Sequence, residues 1–152
     1  MEPVFDHEKL VAYQNSLKFI EWTESFLSNI PKQSSVHNQL ERASTSITLN
    51  IAEGNAKWSK RDRCRYFDIA HGSAVECAAA LDVAVGRGFI DSRIAHEGKT
   101  IAVAVVRLLV GLIKSNLPDR TYGRVQDATE YEPNYDELRE AQLNQRGEKE
   151  ND

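Results

Sequence analysis

The sequence predicts an all-α protein, built as an antiparallel up-down four-helix bundle. Four segments repeat apolar residues every three or four positions, which is the period of a helix with one buried face. Short runs that contain proline or glycine separate these segments. No segment alternates apolar and polar residues with β-branched enrichment, so we expect no sheet. Four helices of roughly 20 to 28 residues with short connections favour the up-down topology.

The first predicted helix begins at Asp6, a candidate N-cap, and runs to about Asn29, before Pro31. Its stripe of apolar residues comprises Leu10, Tyr13, Leu17 and Ile20. A second stripe lies beside the first and comprises Phe19, Trp22 and Phe26. Because one narrow stripe is enough for the core of a bundle, the second stripe predicts an additional contact surface.

The second predicted helix begins after Ser34 or Ser35, since either hydroxyl suits the N-cap position. Its apolar stripe comprises Leu40, Ala43, Ile47 and Ile51. Gly54 follows this stripe, at the position where a C′ glycine often ends a helix.

The third predicted helix has the clearest start, because residues 59–62 match the capping pattern S-x-x-[DE]. Its stripe comprises Phe67, Ala70, Ala74, Cys77, Leu81 and Ala84. Most of these side chains are small and allow a neighbouring helix to approach closely. We therefore place this helix at the tightest crossing in the core, and expect it to end at Gly86 and Gly88.

The fourth predicted helix begins at Asp91 or Ser92 and ends before Pro118. Its stripe comprises Ile94, Ile101, Val105, Leu108 and Leu112, with Leu109 and Ile113 beside it. These two extra residues, together with the second stripe of the first helix, exceed what one core needs. They predict a subunit interface, and hence assembly into a closed homo-oligomeric ring.

Charge divides the 152-residue chain into two parts. Residues 1–118 contain 14 Lys and Arg against 13 Asp and Glu, a net charge of +1, whereas residues 119–152 contain 5 against 10, a net charge of −5. We predict one four-helix domain, 1–118, and an acidic, largely disordered tail, 119–152. Because no apolar run reaches the ~20 residues of a membrane span and the N-terminus lacks a signal pattern, we expect a cytoplasmic protein without membrane contact.

Three sequence runs resemble a known family. Residues 39–47 read QLERASTSI, residues 50–54 read NIAEG, and residues 67–73 read F-x-x-A-x-G-S. They closely resemble the four-helix-bundle family of 23S rRNA intervening-sequence proteins, which also looks like the accessory bundle proteins of diversity-generating retroelements. The resemblance implies a small homo-oligomer, commonly a pentamer, with a role in nucleic-acid binding and without a catalytic reaction.

A dense group of cations surrounds the predicted start of the third helix. With one tryptophan, this basic cluster comprises Lys57, Trp58, Lys60, Arg61, Arg63 and Arg65. Cations are unfavourable at a helix N-terminus, which indicates a role beyond the helix itself. Cations bind phosphates and an aromatic ring stacks on unpaired bases, so we hypothesise binding of RNA or DNA. The alternatives are a solvated, salt-bridged helix end, and a contact with an acidic partner or with the chain's own tail.

Polar residues recur on one side of the second predicted helix and on the third. This polar seam comprises Arg42, Ser46, Asn50, Glu53, Asp68, His71 and Glu76. Polar groups inside a bundle must be hydrogen-bonded, so we expect a network that fixes the helix register or a subunit contact, with a ligand site as the alternative. Asp68-x-x-His71 is similar to the Glu-x-x-His element of di-iron bundles, which need two such elements. We therefore expect no metal and no cofactor.

The sequence favours a protein that is not an enzyme. Cys64 lies among cations, but no histidine nearby in the sequence is placed to act as its base, and Cys77 belongs to the predicted core stripe. We therefore predict a non-enzymatic oligomeric adaptor that binds RNA or DNA through the basic cluster. The alternatives are a protein–protein scaffold that docks a partner such as a nucleic-acid enzyme, and a small-molecule or metal enzyme built on the polar seam.

Overall fold

The computed structural model describes residues 2–120. After a short 3-10 helix, Asp6–Lys9, it contains four α-helices: α1 (Val11–Leu27), α2 (Ser35–Ala56), α3 (Lys60–Gly86) and α4 (Ser92–Asn116). No strand occurs in this part of the chain, which confirms the all-α class and the four helices. The predicted acidic tail, 119–152, lies outside the described residues from residue 121 onward.

Side-chain caps start three of the four helices, as the sequence predicts. An oxygen of Ser34, Ser59 or Asp91 accepts the backbone N–H three residues further on, at 3.2, 3.0 and 2.9 Å respectively. Each capping residue has an extended backbone, which directs its side-chain oxygen at the free N–H groups of the first turn. Of the alternative N-caps, Ser34 and Asp91 are therefore the ones that the structure uses.

The prediction of one continuous first helix from Asp6 is wrong. A carboxylate oxygen of Glu8 accepts the backbone N–H of Val4 at 2.5 Å and that of Phe5 at 2.7 Å. The Phe5 and Val4 N–H groups together hold the pKa of Glu8 below its ordinary value. These bonds fix a separate 3-10 turn, and the extended backbone of Leu10 divides it from α1.

The four helices form a four-helix bundle. α3 packs against α2 and α4, and α1 packs against the same two helices. Among residues 2–120, α3 is the one helix with the length and apolar composition of a membrane span, at a mean hydropathy of 1.2. Core helices of soluble proteins share this composition, so it is a weak indication of a membrane span.

The predicted core stripes of α2 and α3 are confirmed. Every member is buried: Leu40, Ala43, Ile47 and Ile51 on α2, and Phe67, Ala70, Ala74, Cys77, Leu81 and Ala84 on α3. Both stripes consist of apolar residues alone, so the helical period of apolar positions locates them correctly.

The predicted core face of α1 is wrong. The buried face comprises Ala12, Ser16, Phe19, Thr23 and Phe26, whereas Leu17, a member of the predicted stripe, is 39% exposed. The hydroxyl of Thr23 donates to the carbonyl of Phe19 at 2.8 Å, and that of Thr48 on α2 donates to the hydroxyl of Ser16 at 2.9 Å. Because these hydroxyls are satisfied inside the protein, the helix can bury them together with its large aromatic rings.

The core face of α4 is also rotated relative to the prediction. It comprises Ala95, Gly98, Ala102, Val105, Leu109 and Ile113, so only Val105 of the predicted stripe is buried.

The five residues predicted to form a subunit interface are instead part of the core: Phe19, Phe26, Leu109 and Ile113 are buried and Trp22 is half-buried. The interface predicted from these five residues is therefore wrong.

Gly54 does not end α2, because the helix continues to Ala56. A Cβ at Gly54 would lie 2.9 Å from the ring of Phe67 and 3.0 Å from the Cβ of Tyr66. The glycine is thus required by the close approach of α3 to α2 and not by a left-handed cap. This contact agrees with the prediction that α3 lies at a tight crossing.

A second glycine allows α4 to approach the core. A Cβ at Gly98 would overlap the ring of Trp22 and would lie 2.8 Å from Leu81 of α3. The Trp22 ring has little room to move, because the rings of Phe19 and Phe26 pack on it with centroids 5.8 and 4.5 Å away.

We expect Gly98→Ala to lower the free energy of unfolding by roughly 1–3 kcal/mol, since the added methyl group overpacks this contact. Gly111→Ala is the matched control on the same helix, because nothing lies within 4 Å of a Cβ there. The control should gain about 0.5–1 kcal/mol from the higher helix propensity of alanine. Urea denaturation of both variants measures the difference, and equal stabilities would contradict the described packing.

Candidate nucleic-acid interface

The basic cluster lies at the corner where α2 ends and α3 begins. Lys57 is the C-cap of α2, and its backbone N–H donates to the carbonyl of Gly54 at 3.1 Å. The Nε of Arg63 donates to the carbonyl of Lys57 at 2.7 Å. Arg63 therefore satisfies a carbonyl that the end of α2 leaves without a helical partner, and the corner is fixed from both sides.

Lys57 is committed to the same corner by its side chain. Its Nζ lies 3.6 Å from a carboxylate oxygen of Glu53 and 4.9 Å from the centroid of the Tyr66 ring. An ion pair and a cation–π contact therefore hold this half-buried lysine against the start of α3. Two of the five cations in the basic cluster thus stabilise the corner itself.

The other members of the basic cluster face solvent. Lys60, Arg61 and Arg65 are exposed on the first turns of α3, and Trp58 is 99% exposed. Arg61 and Arg65 are four residues apart and share one face of the helix. These cations lie at the positive end of the α3 dipole, which adds to their positive potential and favours an anionic ligand.

The polar seam lies on the surface of the α2–α3 contact and not inside the bundle. The hydroxyls of Ser46 and Ser73 are 2.8 Å apart, and the amide of Asn50 donates to the Ser46 hydroxyl at 3.1 Å. Arg42 donates to a carboxylate oxygen of Glu76 at 2.7 Å. The bond between Ser46 and Ser73 and the bond between Arg42 and Glu76 join α2 to α3.

Three residues of the predicted seam have other positions. Glu53 pairs with Lys57 and therefore belongs to the corner, while Asp68 and His71 lie half-buried nearer the start of α3. Ser73, which completes the network, was not among the predicted residues. Ser73 could have been predicted from its position three residues before Glu76, because residues with this spacing lie on the same side of a helix.

Within residues 2–120, no group of three or more His, Cys, Asp or Glu side chains is close enough to hold a metal ion. Both cysteines are buried. The sulfur of Cys64 lies 3.8 Å from the carbonyl of Ile113. Burial, reinforced by the charge of Glu76, raises the pKa of Cys77 to about 12.

The outward face of α3 carries several exposed small and apolar side chains, with the charged Glu76 side chain, 40% exposed, among them. Within about a third of the helix circumference it exposes Ile69, Gly72, Val75, Ala79 and Val83. On α2, Leu49 is 61% exposed and lines an open groove of about 670 Å³ that follows the helix. Exposed apolar side chains grouped on one helix face, as on α3, are typical of a contact with another molecule.

Comparison with known proteins identifies relatives of the chain. A family model described as 23S rRNA-intervening sequence protein matches residues 8–111. No curated protein matches the sequence. The chain is also similar to a crystal structure of a protein with unknown function from the S23 ribosomal protein family of Bacteroides thetaiotaomicron VPI-5482. The similarity covers 68% of this chain and 99% of the Bacteroides chain, with 26% sequence identity and a TM-score of 0.62.

Both thiols should be unreactive in the folded protein. At pH 8 we expect a chromogenic thiol reagent to modify neither cysteine, and to modify two per chain after unfolding in guanidinium. Because the folded pKa of Cys77 is raised, its contribution to stability is present below the ordinary value of 9.0 and is lost as the pH rises toward about 12. Cys77→Ala should lack this part of the pH dependence, and rapid modification of the native protein would contradict the described burial.

Proposed function

This chain belongs to the family of 23S rRNA-intervening sequence proteins, and we propose that it is a non-enzymatic oligomeric adaptor that binds RNA or DNA. The observation that carries the proposal is the exposure of Lys60, Arg61 and Arg65 beside Trp58 at one fixed corner. Neutralising phosphates releases counterions and favours binding without any chemical step.

The surroundings of these three cations support the proposal. Of the neighbouring carboxylates, Glu53 already pairs with Lys57. Each exposed cation lowers the stability of the helix N-terminus on which it lies. A phosphate ligand would convert this unfavourable arrangement into a favourable one, whereas the helix alone gains nothing from it.

We also propose that the protein assembles with itself through the apolar face of α3. A second copy would cover Val75 and Val83, which are exposed in one chain. A closed ring, with five subunits favoured by the family resemblance, would place one basic cluster per subunit on a common belt. The contacts of Ser46 with Ser73 and of Gly54 with Phe67 support the antiparallel, up-down arrangement that this ring assumes.

A protein–protein scaffold is the second candidate function. The observation that favours it is the groove along α2, where the exposed Leu49 lies among polar side chains. An apolar docking surface would bind a protein partner with little dependence on salt, whereas phosphate contacts weaken steeply as salt rises. Either function is proposed for the cytoplasm and without membrane contact.

The cations of the basic cluster should determine the salt dependence of nucleic-acid binding. We expect a triple variant, Lys60→Ala with Arg61→Ala and Arg65→Ala, to bind every sequence more weakly, because phosphates carry no sequence information. The slope of log affinity against log salt should flatten by about 0.7 to 0.9 for each phosphate that the variant no longer neutralises. Fluorescence anisotropy with labelled RNA and DNA at several salt concentrations measures both effects.

The matched control removes three exposed cations from the other end of α3 and its neighbours: Lys32→Ala, Arg87→Ala and Arg93→Ala. It changes the net charge equally, so a specific contact predicts an unchanged slope for the control. Equal effects in the two triple variants would contradict the assignment to the basic cluster. No binding by the wild-type chain would favour the scaffold instead.

Assembly should depend on the outward face of α3. By light scattering we expect the wild-type chain to have a mass that is a multiple of 17.2 kDa at micromolar concentration. A double variant, Val75→Glu with Val83→Glu, should be monomeric, because a buried unpaired charge opposes the contact. Leu17→Glu on α1 is the matched control and should remain assembled. A monomeric wild type, or dissociation of the control alone, would contradict the proposed interface.

A further inference from the structure

A pocket of about 340 Å³ opens beside the basic cluster, between the 3-10 turn and the α2–α3 corner. Its lining includes Phe5 and Asp6 from the turn, Asn55 from the end of α2, Trp58 from the loop and Arg63 from α3. The nucleic-acid contact predicted from the sequence does not include any of the first ten residues of the chain. The structure nevertheless brings them to the side of the one tryptophan that faces solvent.

Two aromatic rings of this pocket are exposed. Trp58 is 99% exposed and Phe5 is 64% exposed, although burial of such a side chain would stabilise the protein by roughly 1.5–3 kcal/mol. Neither ring is needed for the local backbone, because the caps at Lys57 and Ser59 fix the loop on either side of Trp58. Their exposure at one pocket therefore indicates a flat, aromatic ligand.

The position of the Phe5 ring is fixed before any ligand binds. The ring of Phe5 stacks on His7 with centroids 5.7 Å apart, and His7 in turn contacts the edge of the Tyr13 ring at 4.7 Å. The backbone N–H of Phe5 donates to Glu8 at 2.7 Å. A pocket whose walls are already ordered loses less conformational entropy on binding, which favours affinity.

The polar groups of the pocket fit a base better than a phosphate. The carboxylate of Asp6 repels an anion, but it accepts hydrogen bonds from the N–H groups on the edge of a base. The amide of Asn55 supplies both a donor and an acceptor, and Arg63 contributes further N–H groups. The exposed cations Lys60 and Arg61 follow directly along α3, outside the pocket, where the phosphates on either side of a bound base would lie.

We propose that this pocket holds one unpaired nucleobase of a single-stranded RNA or DNA segment, stacked on Trp58 beside Phe5. The inference rests on the proposed function and specifies its ligand, because a base inside a duplex is not available for stacking in a pocket. The protein then prefers single-stranded or looped segments to a duplex of the same sequence. Trp58 supplies this preference, and the cations of the basic cluster supply the affinity common to both.

The test compares Trp58→Ala with the wild-type full-length chain. Fluorescence anisotropy measures their binding to labelled 12-nucleotide single strands of RNA and DNA, and to the matching 12-base-pair duplexes. Removal of one stacking ring should weaken single-strand binding by about 5- to 150-fold, and should change duplex binding less than about twofold. The salt slope should not change, since no charge is removed. Trp58→Phe should retain most of the affinity, and Leu49→Ala, an exposed apolar control on α2, should retain all of it. The RNA and DNA arms show which nucleic acid supplies the base.

Intrinsic fluorescence provides a second measurement on the same protein. Iodide should quench Trp58 in the assembled protein, whereas Trp22 is half-buried between two phenylalanines and should be protected. A single strand should quench the Trp58 emission as it binds, and Phe5→Ala should weaken that binding without moving the salt slope. Protection of Trp58 from iodide before ligand is added would mean that a second copy of the chain covers the pocket, and would overturn the proposal.

Failure of this inference is distinguishable from failure of the proposed function. Steeply salt-dependent binding that Trp58→Ala leaves unchanged would keep the function and overturn the base pocket. An equal loss on single strand and duplex would also overturn the pocket, because it would show a contact without preference for unpaired bases. Binding of neither nucleic acid by the wild type would overturn both. Competition by a free nucleoside monophosphate at micromolar concentration would point to a small-molecule site and would overturn the single-strand assignment.

Discussion

The structure depends on how closely α3 approaches its two neighbours. A Cβ at Gly54 on α2 would clash with Phe67 of α3, and a Cβ at Gly98 on α4 would clash with Trp22 of α1 and Leu81 of α3. Interiors are packed as densely as organic crystals, so even one methyl group at such a contact changes the packing. The short distances explain why the core uses small residues at its centre and keeps its large rings on α1 and at the start of α3.

The same close contact determines what the basic cluster presents to solvent. Because Tyr66 and Phe67 pack against Gly54, the start of α3 is held beside the end of α2, and Arg63 reaches the last carbonyl of that helix. Two cations are used to close the corner, and three remain outside with Trp58. The exposure of Trp58 and of these three cations is therefore a consequence of the helix crossing, which turns the loop between α2 and α3 outward.

The sequence predicts the parts of this structure that depend on apolar spacing or on local capping. It fails for α1 and α4, where Ser16, Thr23 and Gly98 lie in the core, because a pattern of apolar residues cannot show that a hydroxyl bonds to its own helix or that a glycine receives a tryptophan. The location of the basic cluster follows from charge density alone. Charge density does not show which cations of the cluster hold the corner and which face solvent. That depends on the contact of Arg63 with Lys57, and the pocket depends on the position of Phe5 beside Trp58. Neither contact can be read from the spacing of these residues in the chain.

We propose that this corner contacts nucleic acid directly, and photo-crosslinking tests the contact without any substitution in the protein. Ultraviolet irradiation of the wild-type chain with single-stranded RNA or DNA, followed by mass spectrometry of the digested complex, maps the residues in contact with bases. We expect crosslinks at Trp58 and within residues 57–65, with Phe5 as the next site, and their disappearance when excess unlabelled single strand competes. Crosslinks confined to α4 or to the groove of α2, or none at all from a complex that binds, would contradict the account.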